Sequence, residues 1–346
     1  MLIRKERIPF KKMATFGMLP SVVKILLYKI RGYKIGSGVS IGIGSIVDGK
    51  NVEIKDGTRI GLFTVITAEK IKIDRNVKIG SMVFIDTVKL VVGDDSRINE
   101  KVIIGGMKEP GSSLMLGKRT ILMEYSFLNP TKPIKIGDDS GIGGHCLLFT
   151  HSSWLSELDG FPVEFSPITI GKKVWLPWRV FILPGVNIGD NVVIGANALV
   201  TKSLPSNCLA VGSPAKVVRE NYPQGITDEK KEEIVNKIIN EFSAYLEFHG
   251  FYVEKTEKNV GINLHVQGKK GKYNLLHLKN EVEFDVNKMP KTVVVIEKKM
   301  EKEITPCSKV PMVIDLYKKT RAGRSDIGEE YLRFISRFGI RLNRLD

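Results

Sequence analysis

The sequence predicts a mainly β chain: a parallel β-helix of about eight coils, with a short helical cap before it and a small α+β unit after it. Three observations carry this expectation. Aliphatic residues recur every six positions from Ile35 to Val200, glycine follows many of them, and the metre stops near Arg219. A chain of 346 residues exceeds the roughly 250–300 at which a single core stops growing, so more than one folding unit is expected. Apolar residues make up 42% of the chain and charged residues 26%, which excludes disorder throughout. Cys146, Cys208 and Cys307 cannot build a disulfide framework and no two are spaced CxxC, so a reducing, cytoplasmic compartment is expected. No apolar run approaches the ~18 residues of a spanning helix, and the start shows no signal-peptide pattern.

The N-terminal segment is strongly basic. Residues 1–34 hold nine Lys and Arg against Glu6 alone, a net +8 of the whole chain's +15. Within it, residues 19–34 predict a short helix with Ser21 as N-cap and Val22, Val23, Leu26, Leu27 and Ile30 on one side. Two roles are compatible with such a helix. It covers the first coil, or it makes peripheral contact with an anionic membrane.

The repeat itself begins with Ile35, Ile41 and Val47, continues as Ile54, Ile60, Ile66, then Ile73, Ile79, Ile85, then Val92, Ile98, Ile104. It skips at Pro110, resumes at Leu116, Leu122, Leu128 and Ile136, Ile142, Leu148, and ends with Ile170, Leu176, Ile182, Ile188, Ile194, Val200. Of these 25 positions, 24 are Ile, Leu or Val. A period of six matches neither a helix at 3.6 nor an ordinary hairpin sheet. It matches a coil of three short strands, one inward aliphatic residue per strand, stacked on like neighbours.

The run Ile168–Arg219, ITIGKKVWLPWRVFILPGVNIGDNVVIGANALVTKSLPSNCLAVGSPAKVVR, resembles the C-terminal signature of the hexapeptide-repeat acyltransferases, and the likeness extends over residues 35–220. That resemblance implies a left-handed β-helix, a homotrimer, and acetyl-CoA as acyl donor. After Leu148 the metre resumes only at Ile170 where 154 was due, so about sixteen residues loop out, entered through Thr150-His151-Ser152. Long excursions from a regular scaffold are disproportionately functional. In the family a histidine at such a place is the general base, which implies that role for His151. The chemistry requires one, because a sugar hydroxyl attacks a thioester poorly until a base takes its proton.

His145 occupies the equivalent phase one strand earlier and is expected at a turn or on the acceptor side. Trp154, Glu124, Asn129 and Arg179 complete the acceptor-side candidates, while Cys146 is expected to fill core space. The resemblance places the donor along the last coils, at Trp175, Gly195, Ala196, Lys202, Ser213, Pro214, Lys216 and Arg219, and Trp178 is a further donor-side candidate. One departure stands out. Trp175-Leu176-Pro177-Trp178-Arg179 puts bulk where the family has small residues, which either reshapes the donor groove or closes it. Zinc-dependent relatives use three histidines per site, and only His145 and His151 lie among these coils, so no metal is expected.

Beyond Tyr222-Pro223-Gln224-Gly225, residues 226–346 predict an α+β domain of unknown role. The pattern gives a helix over 228–248, strands at Val260–Val266, Tyr273–Leu278, Val282–Val286 and Thr292–Ile296, and a helix at Ile327–Phe338. Lys318, Lys319, Arg321 and Arg324 are expected on a solvated face, with no nucleic-acid motif among them. The reading favoured is an acetyl-CoA-dependent O-acetyltransferase acting on a sugar hydroxyl of a lipid- or nucleotide-linked saccharide in cell-envelope or capsular polysaccharide synthesis. N-acetylation of a nucleotide-linked amino sugar and a non-catalytic scaffold stay open as alternatives.

Overall fold

The computed structural model describes residues 9–345 apart from 153, 259–260, 270, 280–291 and 301–302. The chain divides after Gln224 into two compact units. In the first, consecutive short strands pass in turn to three sheets of eight, ten and eight strands, here called faces A, B and C, parallel throughout except for the last strand of face B. Ile35 on face A lies beside Ile54, Ile41 on face B beside Ile60, and Val47 on face C beside Ile66. This is a parallel β-helix. Each of the 24 metred aliphatic residues is buried in one continuous core, because a six-residue step returns the same inward position on every strand. Pro110 is the exception: it lies in an excursion between the strands Ile103–Gly105 and Ser113–Leu116, so the spacing placed it on the metre wrongly.

Between faces B and C the chain turns through a left-handed residue on coil after coil, at Phe63, Met82, Lys101, Tyr125, His145, Arg179 and Asn197, with φ between 51° and 61°. All of these but Tyr125 donate their N–H to a carbonyl of the coil before. The His145 N–H donates to the Glu124 carbonyl at 3.1 Å, and the Arg179 N–H to Gly144 at 3.0 Å. The array's stability rests on the inward column. Leu128→Ala, at a position with no exposure, is expected to cost about 2–5 kcal/mol, read as a lower urea midpoint at constant slope.

Two helices precede the coils, α1 (Phe10–Ala14) and α2 (Ser21–Ile30). Ser21 is not the N-cap that the sequence indicated. Pro20 takes that position, and the Ser21 hydroxyl instead accepts from the Ile41 N–H at 2.9 Å. The Tyr28 hydroxyl likewise accepts from Val47 N–H at 2.7 Å. Lys24 is fully buried, and its ammonium donates to the carbonyls of Gly17, Gly42 and Ser45 at 3.1, 2.5 and 3.2 Å. Three N–H bonds thus meet three acceptors, although burial pulls the Lys24 pKa down to about 8. Lys24→Met keeps the bulk but removes three charge-assisted hydrogen bonds, and is expected to destabilise this unit by about 2–4 kcal/mol, measured by thermal melting.

The second unit is a seven-stranded sheet in sequence order, with α3 (Asp228–Phe248) and α4 (Asp326–Ile335) contributing to its core. The Thr227 hydroxyl caps α3 by accepting from Lys230 N–H. The spacing located Gly261–Gly268, Gly271–Leu278 and Thr292–Ile296 approximately but missed Tyr252–Lys258, Met312–Asp315, Thr320–Gly323 and Asn343–Arg344. The strand expected at Val282–Val286 lies outside the described residues. Arg321 corrects the solvated-face expectation: it is largely covered and pairs with Glu329 at 3.1 Å.

Candidate active site at the two edges of face C

His151 sits where the chain leaves face C. The strand Leu147–Phe149 ends there, and Thr150 anchors the exit: its hydroxyl donates to the Asn129 carbonyl at 2.7 Å and accepts from Lys132 N–H at 2.9 Å. The insertion then forms an antiparallel hairpin, with His151 opposite Phe165 and Ser152 opposite Glu164. The imidazole lies between two parallel rings, with centroids 6.0 Å from Phe149 and 5.9 Å from Phe165, at 9° and 19° to them. Its Nδ1 is buried and has no hydrogen-bond partner among the described residues. The side chain is therefore clamped by apolar walls and half-buried, with a polar atom unsatisfied. Lys132 adds a positive charge 5.9 Å from the Phe165 ring and pairs with Glu109 at 2.8 Å.

The opposite edge of face C, where face B turns into it, carries an aromatic column. His145 stacks on Tyr125 at 5.0 Å and 8°, and Trp178 lies 5.7 Å beyond it. Two glycines make room for indoles from the following coil. A Cβ on Gly144 would collide with the Trp178 ring, and one on Gly141 would come within 2.6 Å of Trp175. Cys146 is buried beneath this edge with its Sγ 3.0 Å from the Pro177 carbonyl, and burial pushes its thiol up to about 11, so it is no nucleophile.

The acceptor-side residues thus fall into two groups. Glu124, His145 and Arg179 lie at the B–C edge, Glu124 accepting from the Asn99 amide at 2.8 Å. Asn129 and Trp154 lie at the His151 edge. Asn129 is buried and its Oδ1 accepts from Thr131, whereas Trp154 is 96% exposed. The donor-side residues divide similarly. Trp178, Gly195 and Ala196 follow the B–C edge, with Trp175 beside them on face B. Ser213 and Pro214 form the turn, and Lys216 and Arg219 the second strand, of an exposed hairpin that extends face B. Lys202 stands apart at the His151 edge. Sequence reasoning missed Phe149, Phe165, Tyr125 and Lys132. Phenylalanine recurring next to the inward position of face C, at Phe84, Phe127 and Phe181, was the available signal. Among the described residues no group of three or more His, Cys, Asp or Glu is placed to hold a metal ion.

No model of a known protein family matches the chain. Segments of it do match curated proteins. It is 52% identical over 60 residues to WcaF of Escherichia coli (strain K12), whose name is that of a colanic acid biosynthesis acetyltransferase, covering 17% of this chain and 33% of that one. It is 57% identical over 54 residues to galactoside O-acetyltransferase of the same strain, covering 16% and 27%. The chain thus spans about a third of the length of these relatives. Among solved structures, a hexapeptide-repeat-containing acetyltransferase of Vibrio cholerae O1 biovar eltor, complexed with acetyl-CoA, is 19% identical, covering 61% of this chain and 81% of that one with a TM-score of 0.29. The homologues of this chain are thus named acetyltransferases.

Proposed function

We propose, from the premise that segments of this chain are shared with named acetyltransferases, that it is an acetyl-CoA-dependent O-acetyltransferase with a left-handed coil. In this reading it acts in the cytoplasm on a sugar hydroxyl in cell-envelope or capsular polysaccharide synthesis. The observation that carries the reading is His151, a half-buried imidazole clamped between Phe149 and Phe165 at the mouth of a long hairpin on a rigid scaffold. Two flanking rings fix its plane before any substrate arrives, and such preorganisation is what positioned proton transfer requires. The nitrogen not sealed in the slot, Nε2, takes the proton as the sugar oxygen attacks the thioester carbonyl. The C–S bond then breaks, and the proton passes to the departing thiolate, giving an acetyl ester and free CoA thiol.

The outward side of face C supports assembly into a homotrimer. Phe84, Ile103, Phe127, Leu147, Phe181 and Leu199 occupy outward positions there, whereas face B presents Arg59, Lys78 and Arg97 on its early coils and turns apolar only from Ile121 onward. An apolar side of this kind belongs at a subunit interface. Packing it against other copies would bring the His151 edge of one copy towards the B–C edge of the next, joining the two groups that a single chain holds apart. In this reading the exposed hairpin around Ser213, Pro214, Lys216 and Arg219 meets the phosphates of the donor, and Trp175 and Trp178 wall its groove.

The test is release of free thiol from acetyl-CoA in the presence of a panel of sugars, with acetyl ester identified by mass. Acceptor-dependent release supports the reading. Failure to bind CoA at millimolar concentration contradicts it and favours the scaffold.

A further inference from the structure

Helix α2 keeps most of its aliphatic residues outward. A helix whose only task is to cover a solenoid's first coil turns its aliphatic side inward. Here the inward side carries Ser21, Lys24 and Tyr28, each hydrogen-bonded to the first coil, and of its aliphatic residues only Ile25 packs against the core. The outward side carries Val22, Leu26 and Ile30, exposed to 80%, 59% and 75%, with Val23 and Leu27 beside them. Phe10 and Met18, just before it, are 69% and 52% exposed.

The charge around this strip has one sign. From Arg7 to Val47 the sequence contains no acidic residue. Exposed Lys11, Lys29 and Lys34 lie on or next to these helices, while Lys12 and Arg31 share Asp48 at 2.6 and 3.2 Å. Self-association through the strip would press like charges together. With ten residues at ~1.5 Å rise, α2 is also far shorter than a ~30 Å hydrocarbon core.

We propose that the outward face of α2 docks the protein on an anionic lipid bilayer, lying in the plane of the interface. Apolar residues enter the headgroup boundary and the flanking lysines meet lipid phosphates, each cation multiplying partition roughly fivefold. This goes beyond acetyl transfer, and its readout is independent of it.

The full chain is co-sedimented with vesicles of phosphatidylcholine alone, and with vesicles holding about 30% phosphatidylglycerol, at ~0.1 M salt. Binding should require the anionic lipid and fall as salt rises. L26D/I30D should lower it about tenfold or more without changing melting temperature or oligomeric mass. Lys11→Gln with Lys29→Gln and Lys34→Gln, which leaves the apolar strip untouched, should weaken it likewise. Equal binding to neutral vesicles, undiminished binding by both variants, or a loss of oligomeric mass in L26D/I30D would overturn the proposal, the last by making the strip an interface between copies.

Discussion

Replacing His151 by alanine is expected to lower the rate of acetyl transfer about 10²–10⁴-fold, the range that a positioned general base supplies. The loss should appear in kcat, with little change in the KM for acetyl-CoA, because the imidazole acts on the proton in transit. The fold should be untouched. His151 lies on the hairpin outside the metred core, and Thr150 anchors the strand end through its own bonds to Asn129 and Lys132. Equal melting temperatures for parent and variant, beside a collapse in thiol release, would separate chemistry from stability. Phe165→Ala is expected to give a smaller loss of the same kind, since it removes one wall of the clamp and not the base.

The second large effect concerns assembly. Ile103→Lys combined with Phe127→Lys is expected to convert the oligomer to monomers and abolish transfer together with it. Ile103 is 46% exposed on a single chain and Phe127 is half-buried, so neither substitution disturbs the inward column. Each places an ammonium at an apolar contact where its desolvation has no compensation, at a cost of about several kcal/mol. Sedimentation velocity gives the mass, and thiol release gives the activity. Monomers that still transfer acetyl at the parental rate would show that one chain holds a complete site.

The β-helix was legible because its rule is local and repetitive. A residue such as Ile104 or Leu128 is inward for the same reason as its neighbours six positions away, so one period locates the whole core. His151 was legible because it opens the longest break in that period. Its clamp was not, since Phe149 and Phe165 are sixteen positions apart and Phe165 reaches His151 only through the hairpin. The orientation of α2 was not legible for a related reason. Helical spacing separates Lys24 from the aliphatic residues, and only the three carbonyls around its ammonium explain why its side faces inward. Arg321 followed the same logic in the second unit, where a partner on α4 turned an expected surface charge into a covered pair. Composition sees charge; it does not see acceptors.

A mixed-subunit experiment addresses most directly the claim that His151 of one copy works against the B–C edge of another. One chain carries His151→Ala, and a second carries Trp178→Ala with Arg179→Ala. Each is unfolded, mixed in equal amounts and refolded. If catalytic centres straddle copies, hybrids restore transfer to roughly a quarter of the parental rate, because random assembly pairs an intact half with an intact half at that frequency. Recovery no greater than the sum of the two variants alone would contradict the account.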